Sequence, residues 1–422
     1  MAKLAVNGGK ALRNVRTDPW PQWPVWGNKE MKKLELALNS GVWSYNGPME
    51  QSFNQAFKKV VNTNYVISAA NGTVTLQLAL EALDVGYGDE VIVPGLTWQA
   101  TAAAVVDVNA VPILVDVDPE TWCVDPKAVE AAITPRTKAI IPVHLYGCIV
   151  DMDAIMKIAK KHKLGVVEDC AHQHGSVWKK KPVGSIGDIG SFSLQLSKVL
   201  TGGEGGVLTT DKKELFVKLD ALRNCGRRPA MDEGDKGAGS YKSEGDLIQS
   251  GNYRMTEWQA AVLIEQTRRL PSQVKTRDRN AIYLNGLLEK IDGITPMKRD
   301  KRTSTQSYFN FAFRYDKEAF KGLPVWKFRP ALSAELGTVI EPCYFPLNDC
   351  PLYRPRTKKR YNINKQHWKA IDPSRFKLPM SENAFKEESV CMHHSVLMGK
   401  KSDAGQIADA IKKIQDNVDE LL

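Results

Sequence analysis

The chain lacks several signatures of metal-binding, redox-active and exported proteins. Its seven cysteines form no CxxC pair, so zinc-ribbon and thioredoxin-like sites lack their spacing. An odd number of scattered cysteines fits a reducing compartment. The first 16 residues contain no apolar core of a signal peptide, and no later apolar run reaches transmembrane length. We therefore expect a cytoplasmic protein with no metal site and no membrane contact.

Nucleotide-binding and repeat motifs are missing as well. No GxxxxGK[ST] occurs, which excludes a P-loop, and no GxGxxG opens the first βα turn. A nicotinamide dehydrogenase therefore has little support. No repeat of roughly 20–50 residues is present, which argues against a solenoid or a propeller.

Positive charge, by contrast, is in excess. The formal net charge is +10 and the pI is about 9.1. The densest basic stretches are residues 179–181 and RPRTKKR (354–360), and neither accompanies a zinc finger or an RRM signature. Solvated surface loops explain them, and the positive field can also attract anionic cofactors and substrates. We do not expect nucleic acid as a partner.

Short β-rich runs alternate with helical patterns between Asp89 and about Thr210. Helical patterns lie between the runs, for example at 126–133 and 151–162. Strands that are apolar on both faces and separated by helices predict an α/β fold with a mainly parallel, doubly wound sheet. The runs are EVIVP (90–94), VPILVDV (111–117), KAIIPVH (138–144), LGVVED (164–169), IGSFSL (189–194) and GVLTT (206–210).

The alternation stops after about Arg268. A long helical pattern covers 255–289 with an expected break at Pro271, followed by the extended run SYFNFAFRY (307–315) and a closing helix from about Ser402. We expect a large domain over 1–270, whose N-terminal segment packs near a smaller α+β domain over 271–422.

Polar and aromatic residues follow the predicted strands. In open α/β sheets, ligands bind beyond the carboxyl ends of the strands, which favours one shared site for these residues. Each also has a structural explanation, since a lone aspartate often caps a helix and a lone tryptophan often belongs to the core. They are Trp98, His144, Asp169 and Ser193.

Two further segments are candidates for chemistry. Gly72 and Thr73 follow Asn71 at the start of a helical pattern, where backbone N–H groups bind a phosphate or simply form an ordinary N-cap. Lys198 lies in SFSLQLSKVLTGGEGG (191–206), between a strand and a glycine-rich stretch. Partial desolvation there favours the neutral amine that forms a Schiff base. The residues alone leave both interpretations open.

Taken together, these segments resemble the DegT/DnrJ/EryC1/StrS family of sugar aminotransferases, which have the fold-type-I architecture and use pyridoxal 5'-phosphate (PLP). The similarity covers most of the first 265 residues in the family's order. Matching segments are SGVWSYNGPMEQSF (40–53), AANGTVTLQLALEAL, DEVIVPGLTW, AIIPVHLYG, VVEDCAHQHG, SFSLQLSKVLTGGEGG and SGNYRMTEWQAAVL (250–263).

The resemblance implies roles for the candidate residues. Lys198 corresponds to the lysine that holds PLP as a Schiff base and moves the proton. Asp169 corresponds to the carboxylate that pairs with the pyridine nitrogen, and Trp98 to the aromatic residue that stacks on the ring. The phosphate would be held by Gly72, Thr73, Ser193 and, from the neighbouring subunit, Asn252. A homodimer with shared sites is therefore implied.

One departure from the family points to a subgroup. His172 stands where many members have a glutamine that binds the PLP phenolic oxygen, although Gln173 and His174 leave the register open. With HHSVLMG (393–399) and RNCGRRP (223–229), it resembles the scyllo-inosose aminotransferases and the 3-amino-5-hydroxybenzoate synthases, which act on six-membered carbocycles. Tyr146, His393 and His394 are candidate substrate residues. A structural strand pair is the alternative for the two histidines.

The expected function is transfer of an amino group from L-glutamine or L-glutamate, through pyridoxamine 5'-phosphate, to the ketone of a keto-cyclitol or ketosugar. Nucleotide-ketosugar amination and a dehydrating 3-amino-5-hydroxybenzoate synthase-like reaction remain alternatives. In related dehydratases a histidine replaces the Schiff-base lysine, so the intact Lys198 speaks against that class. A PLP-binding regulator would carry a DNA-binding segment, and residues 1–40 contain no helix-turn-helix pattern.

Overall fold

A computed structural model describes residues 3–227, 248–358 and 364–422. The strands in these ranges are β1 (Tyr65–Ala69), β2 (Glu90–Pro94), β3 (Val111–Val115), β4 (Thr137–Ile140), β5 (Gly165–Asp169), β6 (Val177–Trp178), β7 (Lys181–Pro182), β8 (Ile189–Ser193), β9 (Gly206–Thr210), β10 (Ile294–Pro296), β11 (Thr303–Thr305), β12 (Asn310–Tyr315), β13 (Ile340–Glu341) and β14 (Ser389–His393). The α-helices are α1 (Asn28–Asn39), α2 (Pro48–Val61), α3 (Gly72–Ala82), α4 (Ala100–Asp107), α5 (Pro126–Ala131), α6 (Met152–His162), α7 (Lys213–Arg223), α8 (Glu257–Leu288), α9 (Val325–Leu336), α10 (Lys365–Ala370), α11 (Pro379–Asn383) and α12 (Lys401–Asp416).

A seven-stranded sheet forms the centre of the molecule, in the order β1-β9-β8-β5-β4-β2-β3. Six of its strands run parallel, and β9 runs antiparallel to both β1 and β8. The predicted α/β fold with a mainly parallel sheet is therefore confirmed. The predicted bounds of β2 and β9 match the structure, whereas β1 is missing from the predicted set.

Both faces of this sheet are buried, because helices cover it on either side. Alternate residues of a strand point to opposite faces. Accordingly, Ile92 and Val166 belong to one hydrophobic cluster, while Val91 and Val167 belong to another. This double burial explains why the strands read as continuous apolar runs in the sequence.

A second, antiparallel sheet has the order β10-β12-β14-β13. Its hydrophobic cluster includes side chains of α9, α12 and the last turns of α8. The N-terminal segment joins the same cluster through Leu4, whose backbone N–H donates to the Glu420 carboxylate. A small sheet of the order β11-β6-β7 lies apart from both.

The long helix α8 differs from its prediction, because it continues through Pro271 without the expected break. Proline removes one helical hydrogen bond. Here the buried Leu270 and Val274 hold the two halves against α2 and the core of the large sheet, so packing overrides the local preference. A domain boundary at 270/271 stays a prediction, and it would fall inside this helix.

Part of the C-terminal half also packs on the large sheet. Leu347, Cys350, Tyr353, Ile371 and Leu378 belong to a cluster around that sheet. The Leu347 N–H donates to the Gly95 carbonyl, beyond the end of β2. This segment therefore borders the edge where the predicted site lies. Among the described residues, no helix combines the length and apolar character needed to cross a membrane.

Candidate active site

A cavity of 860 Å³ opens at the carboxyl ends of the parallel strands, where the candidate residues were expected to meet. Its lining includes Gly72, Thr73, Trp98, Asp169, His172, Ser193 and Lys198. Seven of the predicted site residues are thus brought together by elements far apart in sequence. A larger groove of 1030 Å³ between α2 and α8 contains none of these residues.

Lys198 lies on a turn that follows β8, and 8% of it is exposed. Its Nζ lies 4.1 Å from the centre of the Phe309 ring. Burial lowers the pKa of this amine to about 8, and the nearby Asp169 carboxylate partly opposes the effect. A substantial fraction of the amine is therefore neutral near physiological pH, as nucleophilic attack on an aldehyde requires.

Asp169 is the last residue of β5 and is 5% exposed. Its Oδ1 accepts a hydrogen bond from the Ala171 N–H at 3.1 Å, and its Oδ2 accepts one from the Thr101 hydroxyl at 3.0 Å. Burial raises the pKa of this carboxyl, while the two hydrogen bonds lower it. The carboxylate thus faces the cavity in a fixed orientation, with the Lys198 amine as a nearby cationic group.

The neighbouring Glu168 points to the other face of the sheet, as strand alternation predicts. Its carboxylate accepts hydrogen bonds from three backbone N–H groups, those of Gly184, Ile186 and Gly187. His144 Nε2 lies 3.3 Å from the same carboxylate. The expectation that His144 faces the site is therefore wrong, because its ring is directed into this buried network behind the sheet.

The N-terminus of α3 forms one wall of the cavity. Asn71 caps the helix, since its side chain accepts a hydrogen bond from the Val74 N–H at 3.0 Å. Gly72 is the first helical residue, and an added Cβ would lie 2.6 Å from the Ser193 Cβ. Only glycine allows this close approach. The first N–H groups of the helix have no partner within it, and they and the positive end of the helix dipole are directed at the cavity. Such an arrangement suits a phosphate.

Trp98 borders two cavities. It is 46% exposed and lines both the main cavity and an adjoining one of 260 Å³. Tyr344 also lines both, with its ring centre 5.6 Å from that of Trp98. Tyr146 lines the smaller cavity, and its hydroxyl accepts a hydrogen bond from the Tyr344 N–H at 2.7 Å.

His172 is held in one orientation by its surroundings. Its ring stacks on Phe309, with the centres 4.0 Å apart. Nδ1 accepts from the Tyr146 N–H at 3.1 Å, so in the neutral ring Nε2 carries the proton, 3.2 Å from Tyr344 Oη. Burial keeps the pKa of His172 well below its usual value. Of residues 172–174, only His172 lines the cavity, and the Gln173 amide donates to the Tyr146 carbonyl.

Besides His144 and Tyr146, of which the latter lines only the smaller cavity, three predicted residues lie outside the main cavity of this chain. Asn252 is exposed, and its Oδ1 accepts from the Arg254 N–H at 3.3 Å. His393 and His394 instead contact the Ser197 carbonyl, next to Lys198. Parts of two motifs, residues 228–229 of RNCGRRP and residues 359–360 of RPRTKKR, are not among the residues that the structure describes.

Sequence reasoning missed three residues of the site. Thr101 binds Asp169, Phe309 separates Lys198 from His172, and Tyr344 contacts His172. Thr101 follows Trp98 by three residues, a spacing that puts both on one side of a helical turn. Neither Phe309 nor Tyr344 carries a local signal, because they reach the cavity from the region after α8.

The comparisons with known proteins agree with this geometry. Over 97% of both chains, the protein is 43% identical to an L-glutamine:2-deoxy-scyllo-inosose aminotransferase of Streptoalloteichus tenebrarius. It is 41% identical to an L-glutamine:scyllo-inosose aminotransferase of Streptomyces griseus, covering 100% of this chain and 99% of the relative.

Solved structures show the same fold. The crystal structure of a 3-amino-5-hydroxybenzoic acid synthase matches with a TM-score of 0.79 and 32% identity, covering 96% of this chain and all of the other. An aminotransferase from Psychrobacter cryohalolentis matches with a TM-score of 0.79 and 29% identity, over 95% of this chain and all of the other. The family model of DegT/DnrJ/EryC1/StrS aminotransferases matches residues 24–393, and the chain belongs to this family.

Proposed function

We propose that this protein is a PLP-dependent aminotransferase that moves an amino group from L-glutamine to the ketone of a keto-cyclitol of the scyllo-inosose type. The observation that carries the proposal is the buried Lys198 amine, which faces the Asp169 carboxylate across a cavity in an aminotransferase fold. The donor and acceptor are inferred from full-length relatives that are 41–43% identical and are named for these substrates.

The residues of the cavity fit PLP at three points. The N-terminus of α3 with Gly72 offers N–H groups to a phosphate at a place that a Cβ would fill. Asp169 offers a buried carboxylate to a protonated ring nitrogen. The His172 Nε2–H and the Tyr344 hydroxyl, 3.2 Å apart, form a hydrogen-bonding pair at the cavity that suits a phenolic oxygen. These three groups and Lys198 surround one cavity, which supports the assignment of the cofactor.

When bound, PLP supplies an electron sink that stabilises negative charge on the carbon that carries the amino group. Asp169 would hold a proton on the ring nitrogen, because a charge pair compensates the burial that raises its own pKa. Lys198 would take the proton from the substrate carbon and return it at C4′ of the cofactor. The lowered Lys198 pKa suits both steps, since an amine near neutrality accepts and donates protons with similar ease.

A keto-cyclitol is favoured over a nucleotide ketosugar by the charges at the cavity mouth. Lys358, from the basic stretch RPRTKKR, lines the cavity and forms an ion pair with Asp107. This pairing neutralises a charge that a diphosphate would require. A small polyhydroxylated ring needs hydrogen-bonding groups instead, and two tyrosines, Tyr146 and Tyr344, line the adjoining cavity.

The acceptor is tested by half-reactions. The protein is loaded with PLP, converted to the pyridoxamine phosphate form with L-glutamine, freed of donor and then mixed with a ketone. Return of the PLP absorbance should be fastest with scyllo-inosose-type ketones, and a Lys198→Ala protein should show none. A catalytic efficiency at least about tenfold higher for a nucleotide ketosugar would refute the acceptor while leaving the aminotransferase assignment intact. Replacing L-glutamine with L-glutamate in the first step tests the donor.

We also propose a homodimer whose sites are shared between subunits. Asn252 lies outside the cavity of its own chain, while the adjacent Tyr253 lines it. Several large apolar side chains in α1 and in the residues that flank it are exposed in the single chain, which supports an interface there. They include Trp26 (67%), Met31 (54%), Leu36 (54%), Leu38 (55%) and Trp43 (52%).

Subunit exchange tests the shared site. Inactive Lys198→Ala chains are mixed with inactive Asn252→Arg chains under conditions that exchange subunits. In a mixed dimer one site collects both changes and the other collects neither, so part of the activity should return. Proven exchange without recovery would mean that each site is built by one chain.

A further inference from the structure

The turn that carries Lys198 is fixed by a dense set of hydrogen bonds, and we call residues 195–198 the lysine turn. The Lys198 N–H donates to the Gln195 carbonyl at 2.9 Å. The Ser197 N–H donates to Gln195 Oε1, also at 2.9 Å. The Leu196 carbonyl accepts from the Trp23 indole N–H at 3.0 Å. None of these three bonds uses the Ser197 carbonyl as an acceptor.

Two adjacent histidines bind that carbonyl. His393 Nε2 lies 3.3 Å from the Ser197 oxygen, and His394 Nε2 lies 3.2 Å from it. His393 ends β14, and His394 begins the short 3-10 turn that follows. A carbonyl oxygen has two lone pairs, so both are engaged by this pair of rings.

The partners of the two rings determine which nitrogen carries the proton. His394 Nδ1 lies 3.1 Å from Nε of Arg277, a group that can only donate. His393 Nδ1 accepts from the Ser395 backbone N–H at 3.3 Å. Both rings must therefore carry their proton on Nε2, where it is donated to Ser197. Burial lowers the pKa of both histidines, which keeps them in this neutral form.

The anchoring network is itself well buried. Arg277 and His394 are fully buried, and Trp23 packs edge-on against His394 with ring centres 4.5 Å apart. The Arg277 guanidinium lies 5.0 Å from the centre of the Trp23 ring. The lysine turn of the large sheet is thus held by the N-terminal segment, by α8 and by the end of β14. The two histidines thus join the second sheet to the turn through hydrogen bonds, and the Phe309 ring adds a contact with the Lys198 amine.

From this arrangement we propose that His393 and His394 are positioning residues for Lys198, acting through the Ser197 carbonyl. They touch neither of the two cavities and are not catalytic residues. By fixing the peptide plane before Lys198, they set where its Nζ lies relative to Asp169. The inference rests on the proposed role of Lys198. It assigns the two histidines to orienting the lysine and not to contacting the substrate.

The first test uses the cofactor-free protein, so it does not depend on turnover. Hydrogen–deuterium exchange is measured on a peptide that covers the lysine turn in the parent, His394→Leu and His394→Gln proteins. Leucine removes the donor, whereas the glutamine amide nitrogen lies about where Nε2 was. Exchange in the turn should rise about tenfold in His394→Leu and return toward the parent value in His394→Gln. A peptide covering β2 is the internal control.

The second readout is the position of the amine. Cofactor-free proteins are treated with pyridoxal and reduced with borohydride, and the label on Lys198 is counted by peptide mass spectrometry. Misplacement of the amine should slow labelling by about 10²-fold in His394→Leu, with rescue in His394→Gln. Because His394 is buried, the more accessible His393→Leu and His393→Gln pair repeats both measurements if His394→Leu does not fold.

The outcomes separate the alternatives. Faster exchange and slower labelling in the leucine variants, both reversed by glutamine, support the proposal. Exchange and labelling within about twofold of the parent, or equal effects of leucine and glutamine, overturn it. Failure of Lys198 to accept pyridoxal even in the parent would instead refute the proposed function, because that result concerns the lysine itself.

Discussion

The ionisation of Lys198 in the cofactor-free protein gives a quantitative test of the site. An amine with a pKa of 10.5 is neutral at pH 7 in roughly one molecule in 3,000, whereas a pKa of about 8 makes it neutral in about one in ten. The neutral, reactive form of Lys198 should therefore be roughly 300-fold more abundant than that of a solvated lysine. Its limited exposure slows reagents, so the pH midpoint of the reaction is the quantity to compare and not the rate.

The midpoint is measured by brief acylation at a series of pH values and mass spectrometry of the peptide that contains Lys198. We expect half-maximal reactivity near pH 8. Asp169 raises the Lys198 pKa, so Asp169→Asn should move the midpoint to lower pH. Glu204→Gln removes an exposed carboxylate from the same cavity and is the matched control, expected to leave the midpoint in place.

Two results would refute this reasoning. A midpoint above about pH 10 would mean that water reaches the amine freely and that burial does not control its ionisation. A midpoint that rises in Asp169→Asn would mean that the carboxylate does not act on Lys198 through its charge. In either case the cavity would lack the neutral amine on which the proposed chemistry depends.

Three further predictions concern the walls of the cavity. In fluorescence titrations, Gly72→Ala should weaken binding of PLP by at least about tenfold and binding of pyridoxal much less, because the added Cβ would lie 2.6 Å from an atom of β8 and displace the phosphate site. Gly286→Ala is the control, since its added Cβ would meet no atom within 4 Å. Equal losses for both ligands would contradict the phosphate assignment. Glu168→Gln should lower the free energy of unfolding by about 2–3 kcal/mol, measured by thermal unfolding, since it disturbs a buried acceptor of three N–H groups. Asp169→Asn should unfold at the parent temperature but lose most turnover. The reverse pattern would exchange the roles of the two residues. Thr101→Val removes a hydrogen bond that lowers the Asp169 pKa, so that pKa should rise and the acidic limb of kcat/KM should move to higher pH; an unshifted limb would exclude Thr101 from this control.

The parts of the site that could be predicted depend on local pattern and on sheet topology. Apolar runs between helical patterns place Asp169 and Ser193 at strand ends, and parallel strands bring their carboxyl ends to one edge. The same logic separates Asp169 from Glu168 by strand alternation. It fails for His144, which follows β4 by four residues, because the intervening chain turns the ring behind the sheet.

The parts that could not be predicted depend on packing between distant elements. Phe309 and Tyr344 enter the cavity from chain segments more than a hundred residues after Lys198, and their neighbours carry no motif. The continuity of α8 through Pro271 has the same origin, since the cost of one missing hydrogen bond is local while the packing that offsets it is not. Local propensity therefore locates the strands and their ends but not the side chains that close the cavity from the other sheet.

The histidine pair shows how a sequence motif can be ambiguous for a geometric reason. In a continuous strand, His393 and His394 would point to opposite faces, and at most one could reach a given partner. The strand ends between them, and the 3-10 turn that starts at His394 rotates the second ring back to the side of the first. Both then reach the Ser197 carbonyl. The directions of the two rings depend on where β14 ends, which the sequence does not reveal, so the dipeptide alone is also compatible with a substrate contact. Its position beside Lys198 in the structure favours a role in orienting the lysine.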